Sequence, residues 1–160
     1  MPPRVMILNG PNLNLLGVRE PEIYGTTTLA AIETSCREFA GTFGGTLAFH
    51  QSNHEGQLVD WVQSARGQFD AIIINPAGYS FSSVALLDSL KMFNGPVVEV
   101  HISNIHAREA TYHHSKISPI AKAVICGMGA YGYVVAFQLV AYMFKSLPES
   151  LPAPLRIGPR

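Results

Sequence analysis

A surplus of charge of either sign is missing from this chain. Eleven Lys and Arg balance eleven Asp and Glu, so the formal net charge is zero with neutral histidine. That balance leaves no electrostatic footprint for a nucleic acid and no polybasic patch for a membrane surface. Cysteine is scarce too, with only Cys36 and Cys126, far apart in apolar contexts. No disulfide framework is indicated, and two buried free thiols are expected. No apolar run approaches the ~18 residues that mark a membrane-spanning helix. The opening MPPRVMIL lacks the apolar core and small-residue cleavage pattern of a secretory signal. A soluble cytoplasmic protein is the expectation. The signature of disorder, low hydrophobicity with high net charge, is absent as well, since 48% of residues are apolar.

What is present is one domain's worth of alternating patterns in 160 residues. Val5–Leu8 is a buried strand broken by Asn9-Gly10-Pro11. The threonines 26–28 supply a helix cap, and apolar residues from Leu29 to Phe43 recur at helical spacing until Gly44-Gly45. Thr46–His50 alternates like a strand. Ser52 or Asn53 offers a cap for a helix that ends at Gly67. Ala71–Ile74 is apolar throughout, as a strand covered on both faces should be. Ser82 or Ser83 opens a helix that runs through Phe93 to Asn94-Gly95-Pro96. Val97–Ile102 and Ala123–Cys126 are the fourth and fifth strands, and a final helix ends near Ser146.

Strands alternating with helices predict a parallel sheet with right-handed crossovers. The natural architecture is an α/β, flavodoxin-like, doubly wound five-stranded sheet in three α/β/α layers. The expected domain spans residues 1–146. The Pro-rich tail 147–160 is expected to be a loose or subunit-draped extension. Ligands of such sheets sit beyond the carboxyl ends of the strands. The residues just after each strand are therefore the ones to inspect.

The stretch after the first strand is unusually long and polar. It holds Asn12, Arg19 and Tyr24 between glycines and prolines. Long loops of this kind are lids or binding loops, or simply surface turns. A tyrosine is a poor base at neutral pH, but neighbouring guanidinium groups such as Arg19 and Arg108 favour the phenolate. On the fourth strand, Glu99 and His101 are two apart and share one face. A carboxylate in an interior strand needs a partner, and it would fix the imidazole tautomer and prepare a general acid. A purely structural pair fits the same spacing. Backbone groups of Ile102 and Ser103 suit a small anion. Asn75 is a polar anchor on the same rim, and Asp88 lies one to two turns into the next helix. The four histidines 101, 106, 113 and 114 match no metal-ligand spacing, and no metal or other cofactor is expected. Gly127-Met128-Gly129-Ala130-Tyr131-Gly132 has the form G-x-G-x-x-G, but no acidic residue follows about 20 positions on. Close strand–helix packing is the better account of it. A non-catalytic module for a nucleotide or flavin is the competing use of that pattern.

Several long motifs are more specific. NGPNLNLLGVREPEIYG (9–25), FHQSNHEGQLVDWV (49–62), IINPAGYSFSSVALLDSL (73–90), EVHISNIHARE (99–109) and AVICGMGAYGY (123–133) resemble type II 3-dehydroquinate dehydratases. The similarity covers nearly the whole chain except the tail. The resemblance implies a flavodoxin-like, metal-free lyase of the shikimate or quinate pathway that removes water from 3-dehydroquinate through an enolate. It makes Tyr24 the base at C2, assisted by Arg19 and Arg108. It makes His101, oriented by Glu99, the acid toward the C1 hydroxyl, and Asn12 the enolate stabiliser. Asn75, Ile102 and Ser103 would bind substrate, with Asp88 assisting. It further implies a homododecamer built from trimers. Two positions depart from the family pattern: Phe81 stands where a histidine is usual, and Tyr112 where an arginine is usual. Retained chemistry with weakened binding, or a shifted substrate preference, is expected from that change.

Overall fold

The structure, a computed structural model, describes residues 1–157. In chain order the elements are β1 (Arg4–Asn9), α1 (Pro21–Tyr24), α2 (Leu29–Gly41), β2 (Thr46–Gln51) and α3 (Glu55–Ala65). Then follow β3 (Ala71–Asn75), α4 (Val84–Lys91), β4 (Val97–His101), β5 (Ala123–Cys126) and α5 (Tyr131–Met143). The strands form one sheet in the order β2-β1-β3-β4-β5. Every pairing is parallel. This is the expected flavodoxin-like arrangement, with strand order reversing between β1 and β3. A crevice opens beyond the carboxyl ends of the strands at such a point.

Two apolar clusters, one on each face, hold the sheet. Side chains alternate along a strand, so neighbours in sequence enter different clusters. Val5, Ile7, Ile73, Val98 and Val100 pack under α2 and α5, against Ile32, Cys36, Tyr133 and Phe137. Met6, Leu8, Ile72 and Ile74 pack under α3 and α4, against Leu58, Val62, Leu86 and Leu90. Strands covered on both faces have no room for a polar side chain except at their ends. Asn9, Asn75 and His101 lie at those ends, and Glu99 lies inside β4 two residues before His101, which it contacts; all four are buried.

Local details correct several sequence expectations. Thr28 caps α2, its Oγ1 accepting from Ala31 N at 3.1 Å, but α2 ends at Gly41, before Gly44-Gly45. The turn that follows uses Gly44 at φ 74°. Neither Ser52 nor Asn53 caps α3. His54 occupies the cap position without a side-chain bond, while Ser52 Oγ accepts from His54 N at 2.9 Å. The Ser52 hydroxyl thus closes the turn before the helix instead of its first coil. Ser83 does cap α4, accepting from Leu86 N at 2.9 Å. This helix ends at Lys91, and α5 ends at Met143, each short of the expected stop. After α5, Ser146 N donates to Ala141 O at 2.7 Å and Lys145 adopts φ 56°, a left-handed turn closing the helix.

The long loop after β1 is not uniform. Leu13–Leu15 form a turn of 3-10 helix, and Leu13 and Leu16 are buried in the core. The second half, residues 17–25, is largely exposed and contains the short α1. The loop 103–118 likewise contains two 3-10 turns, Ile105–Ala107 and Ala110–Tyr112, and ends at a third, Ser118–Ile120. In the tail, Ala153–Arg156 form a 3-10 turn, and Leu155 and Ile157 flank a hollow beside Tyr131, Leu139 and Tyr142 of α5. The last part of the tail, residues 158–160, falls outside the described residues. Among the described residues, no helix is long and apolar enough to cross a membrane.

Candidate active site

The loops that follow β1, β3 and β4 surround a cavity of about 200 Å³. Asn12, Arg19 and Tyr24 line it from the first loop, and Asn75 and Phe81 from the second. His101, Ile102, Ser103, Arg108 and Tyr112 line it from the third. Of the residues singled out from sequence, only Glu99 and Asp88 do not reach its wall. Glu99 stands directly behind His101. Asp88 is exposed on α4, and this chain's cavity does not include it.

The acidic side of the cavity is built on β4. Glu99 is fully buried and His101 is 4% exposed. His101 Nε2 is hydrogen-bonded to Glu99 Oε2. A carboxylate only accepts, so Nε2 carries the proton in that contact and Nδ1 remains for other chemistry. The second carboxylate oxygen is also held, because Ser118 Oγ donates to Glu99 Oε1 at 2.8 Å. Ser118 was not foreseen from sequence. It is 19 positions away, at the start of a 3-10 turn, and no local period connects it to the strand.

The basic side is built on α1 and the loop after β4. Pro21 opens α1, and Tyr24 ends it half-buried. The Arg19 guanidinium lies 5.1 Å from the Tyr24 ring centre and that of Arg108 lies 5.6 Å from it. Two guanidinium groups thus lie beside one phenol. Glu20, at the cap position, adopts φ 40°, an uncommon left-handed conformation for a residue with a side chain. Asn12 and Ala77, both on the cavity wall, adopt φ 71° and φ 51°. Backbone held in such regions gathers at functional sites.

A set of amides fixes the floor and the entrance. Asn12 N donates to Asn53 Oδ1 at 2.9 Å, and Gln51 Nε2 donates to the same oxygen at 3.2 Å. Tyr79 OH donates to Asn53 O at 2.7 Å. Asn53, one of the residues just after the second strand and a cap candidate by sequence, therefore holds the Asn12 backbone in place. Below the cavity, Asn75 Nδ2 donates to Tyr133 OH at 2.9 Å and Tyr133 OH donates to Asn9 Oδ1 at 2.7 Å. Asn9 Nδ2 donates to His50 O at 3.0 Å, and Asn75 Oδ1 accepts from Ala77 N at 3.1 Å. Burial raises the Tyr133 phenol far above its ordinary range, so it stays neutral and donates. Asn75 is thereby anchored, with one amide hydrogen left for the cavity. Gly10 lies between these loops, and a Cβ there would come within 2.3 Å of Pro76 O.

The two departing positions meet. Phe81 and Tyr112 pack edge to face with ring centres 5.4 Å apart, and Phe81 lies 6.2 Å from the His101 ring. Arg108 sits 4.0 Å over the Tyr112 ring. The glycine-rich turn serves this same rim. Gly127 N donates to His101 O at 3.3 Å and Gly129 N to Ile102 O at 3.0 Å. Those amides are occupied and do not form a free phosphate cradle. A Cβ on Gly132 would find nothing nearer than 3.5 Å, so the pattern reflects the turn more than close helix packing. Gly127 has φ 86°, which a side chain rarely adopts. Among the described residues, no three His, Cys, Asp or Glu side chains gather as a metal site.

These features define a class: a doubly wound α/β protein whose switch-point cavity holds a cation-flanked tyrosine and a carboxylate-backed histidine. The chain belongs to the dehydroquinase class II family, which matches residues 3–141. It is 59% identical over 143 residues to the 3-dehydroquinate dehydratase of Streptomyces avermitilis, covering 89% of this chain and 90% of that one. It is 52% identical over 145 residues to the catabolic 3-dehydroquinase of Aspergillus oryzae, covering 91% and 95% respectively. The crystal structure of type II dehydroquinase from Propionibacterium acnes superimposes with a TM-score of 0.83 at 38% identity, over 86% of this chain and 95% of that one.

Proposed function

We propose that this protein is a cytoplasmic 3-dehydroquinate dehydratase that eliminates water to give 3-dehydroshikimate. The observation that carries this reading is one cavity shared by Tyr24, flanked by Arg19 and Arg108, and His101, backed by Glu99. The reaction needs a base for a carbon acid, a site for enolate charge, and an acid for a departing hydroxyl. Tyr24, as phenolate, takes the C2 proton. The electron pair moves onto the ketone oxygen, where Asn12 and an ordered water stabilise it. The enolate then collapses, the C1–oxygen bond breaks, and protonated His101 delivers its proton so that water leaves. Glu99 stabilises the imidazolium that precedes this transfer. Base and acid are different residues, which permits the anti geometry.

The remaining assignments support binding. The backbone of Ile102 and Ser103, with the free amide hydrogen of Asn75, would hold the substrate carboxylate and hydroxyls. Asp88, exposed on its own chain, would contribute only where a second copy brings it to the rim. A homododecamer built from trimers is the assembly proposed, consistent with that requirement. The domain proposed to act is residues 1–146, with 147–160 as an extension available to a neighbouring subunit.

The test is direct. Mixing protein with 3-dehydroquinate should give the rising absorbance of a conjugated enone. Tyr24→Phe should lower turnover by about 10²–10⁴-fold, the range for loss of general base catalysis, while assembly on a sizing column stays unchanged. Absence of product from folded, assembled wild-type protein would sink the proposal.

A further inference from the structure

Arg108 holds an unusual position. It lines the inner cavity beside Tyr24, and it also lines a second, outer hollow of about 480 Å³. The outer hollow is bordered by two carboxylates, Glu20 and Glu109. Among the described residues, Arg108 forms no ion pair with either of them. Its guanidinium instead faces two aromatic rings, Tyr112 at 4.0 Å and Tyr24 at 5.6 Å. Glu20 already lies 3.6 Å from the Arg19 guanidinium, which leaves Glu109 as the carboxylate toward which a flexible cation at Arg108 would ordinarily drift. Something must hold it inward, and of the two rings it faces the Tyr112 ring is the nearer. That ring is itself fixed by the edge-to-face contact with Phe81.

We propose that Tyr112 is a positioning residue that holds Arg108 against Tyr24 by stacking, and that Phe81 braces it. This rests on the reading of Tyr24 as the base. The attraction is between the guanidinium and the ring face, so the phenol hydroxyl is dispensable and the ring is not. Without the ring, Arg108 turns outward to Glu109, and the charge beside Tyr24 drops from two guanidinium groups to one.

The experiment compares Tyr112→Leu, Tyr112→Phe and the double variant Tyr112→Leu with Glu109→Gln. For Tyr112→Leu, kcat on 3-dehydroquinate should fall about tenfold, the size of one desolvated cation–ring contact, with KM moving much less. Tyr112→Phe should stay within about twofold of wild type, because the stacking face remains. Removing Glu109 from the Leu variant should recover part of the lost kcat by weakening the outward pull. A second readout does not depend on activity. Phenylglyoxal modification of Arg108, followed by peptide mass mapping, should be faster in Tyr112→Leu and unchanged in Tyr112→Phe. Wild-type reactivity of Arg108 in Tyr112→Leu would overturn the proposal. So would damage in Tyr112→Phe equal to that in Tyr112→Leu, since it would assign the role to the hydroxyl. If wild type itself yields no product, the proposed function fails, and the modification arm still decides the placement of Arg108.

Discussion

Two buried polar groupings end the central strands, one on each face of the sheet, and they differ in kind. On the α2/α5 face, Asn9, Tyr133 and Asn75 form a chain of amides and a phenol. On the α3/α4 face, Glu99, His101 and Ser118 form a chain containing a carboxylate and an imidazole. Asn9, Asn75, Tyr133, Glu99 and His101 are all nearly inaccessible to water, and Ser118 is half-buried. The first carries no charge, and burial keeps Tyr133 protonated. It satisfies the strand ends and sets the loop after β3. The second contains two titratable side chains, and one of them, His101, opens on the cavity. The contrast sets a fully satisfied neutral network, which specifies structure, beside a titratable pair at a cavity, where the proposed chemistry is placed.

The sharpest way to break the comparison is on the charged side. His101→Ala should reduce turnover by about 10²–10⁴-fold, as expected for removal of a general acid, with the fold retained by circular dichroism. A variant that still turns over near the wild-type rate would place the acid elsewhere. On the neutral side the expected damage is to stability. Tyr133→Phe strands the Asn9 carbonyl, and should cost about 1–3 kcal/mol in denaturant unfolding while kcat changes only a few-fold. If kcat collapses instead with stability intact, the neutral chain has a catalytic part and the contrast fails.

A smaller effect tests the link behind His101. Ser118→Ala frees one oxygen of Glu99, and kcat should fall by roughly tenfold or less, the worth of one hydrogen bond to a charged group. Ser118→Thr should restore it. An Ala variant equal to wild type would show that His101 alone holds Glu99. The smallest effect lies far from both groupings, at the opposite end of the sheet. There Asp70 accepts from the Arg4 side chain at 2.9 Å and from the Arg4 backbone at 2.7 Å. The Arg4 guanidinium, through that hydrogen bond, holds the Asp70 carboxyl below the usual carboxylate range. A depressed carboxylate stabilises the fold above its unfolded value and loses that contribution as pH falls through the folded value. Asp70→Asn should therefore lower the melting temperature slightly at pH 7. The gap between variant and wild type should narrow as pH falls below about 4, the ordinary carboxylate value. A constant gap across that range would remove the ion pair from the account.

Much of this was legible in the chain. The five strands follow from short apolar runs, or in Thr46–His50 from alternation, most of them bounded by Gly, Pro or Asn. Their parallel order follows from the intervening helices, because crossovers have one favoured hand. Glu99 and His101 could be paired in advance because the strand period of two puts them on one face. The NGPNLNLLG and EVHISN segments marked the rim. Periodicity did not reach the loops. The 3-10 turns after β4 and the four-residue α1 are too short to show a period, and the Ser52 hydroxyl, which fits a helix cap by position, closes the preceding turn instead.

What sequence determined by itself is local: which residues form strands, that Thr28 and Ser83 cap their helices, and which side chains share a face. Those depend on spacing and on intrinsic conformational preference. Tertiary structure alone decided which distant residues meet. Ser118 reaches Glu99, Tyr133 joins Asn9 to Asn75, Asn53 holds Asn12, and Tyr112 stacks on Arg108 with Phe81 against it. Each of these contacts is made across a loop or between sheet and helix. No repeat of the backbone sets such a separation. Only the closing of the fold around its core brings the partners within reach.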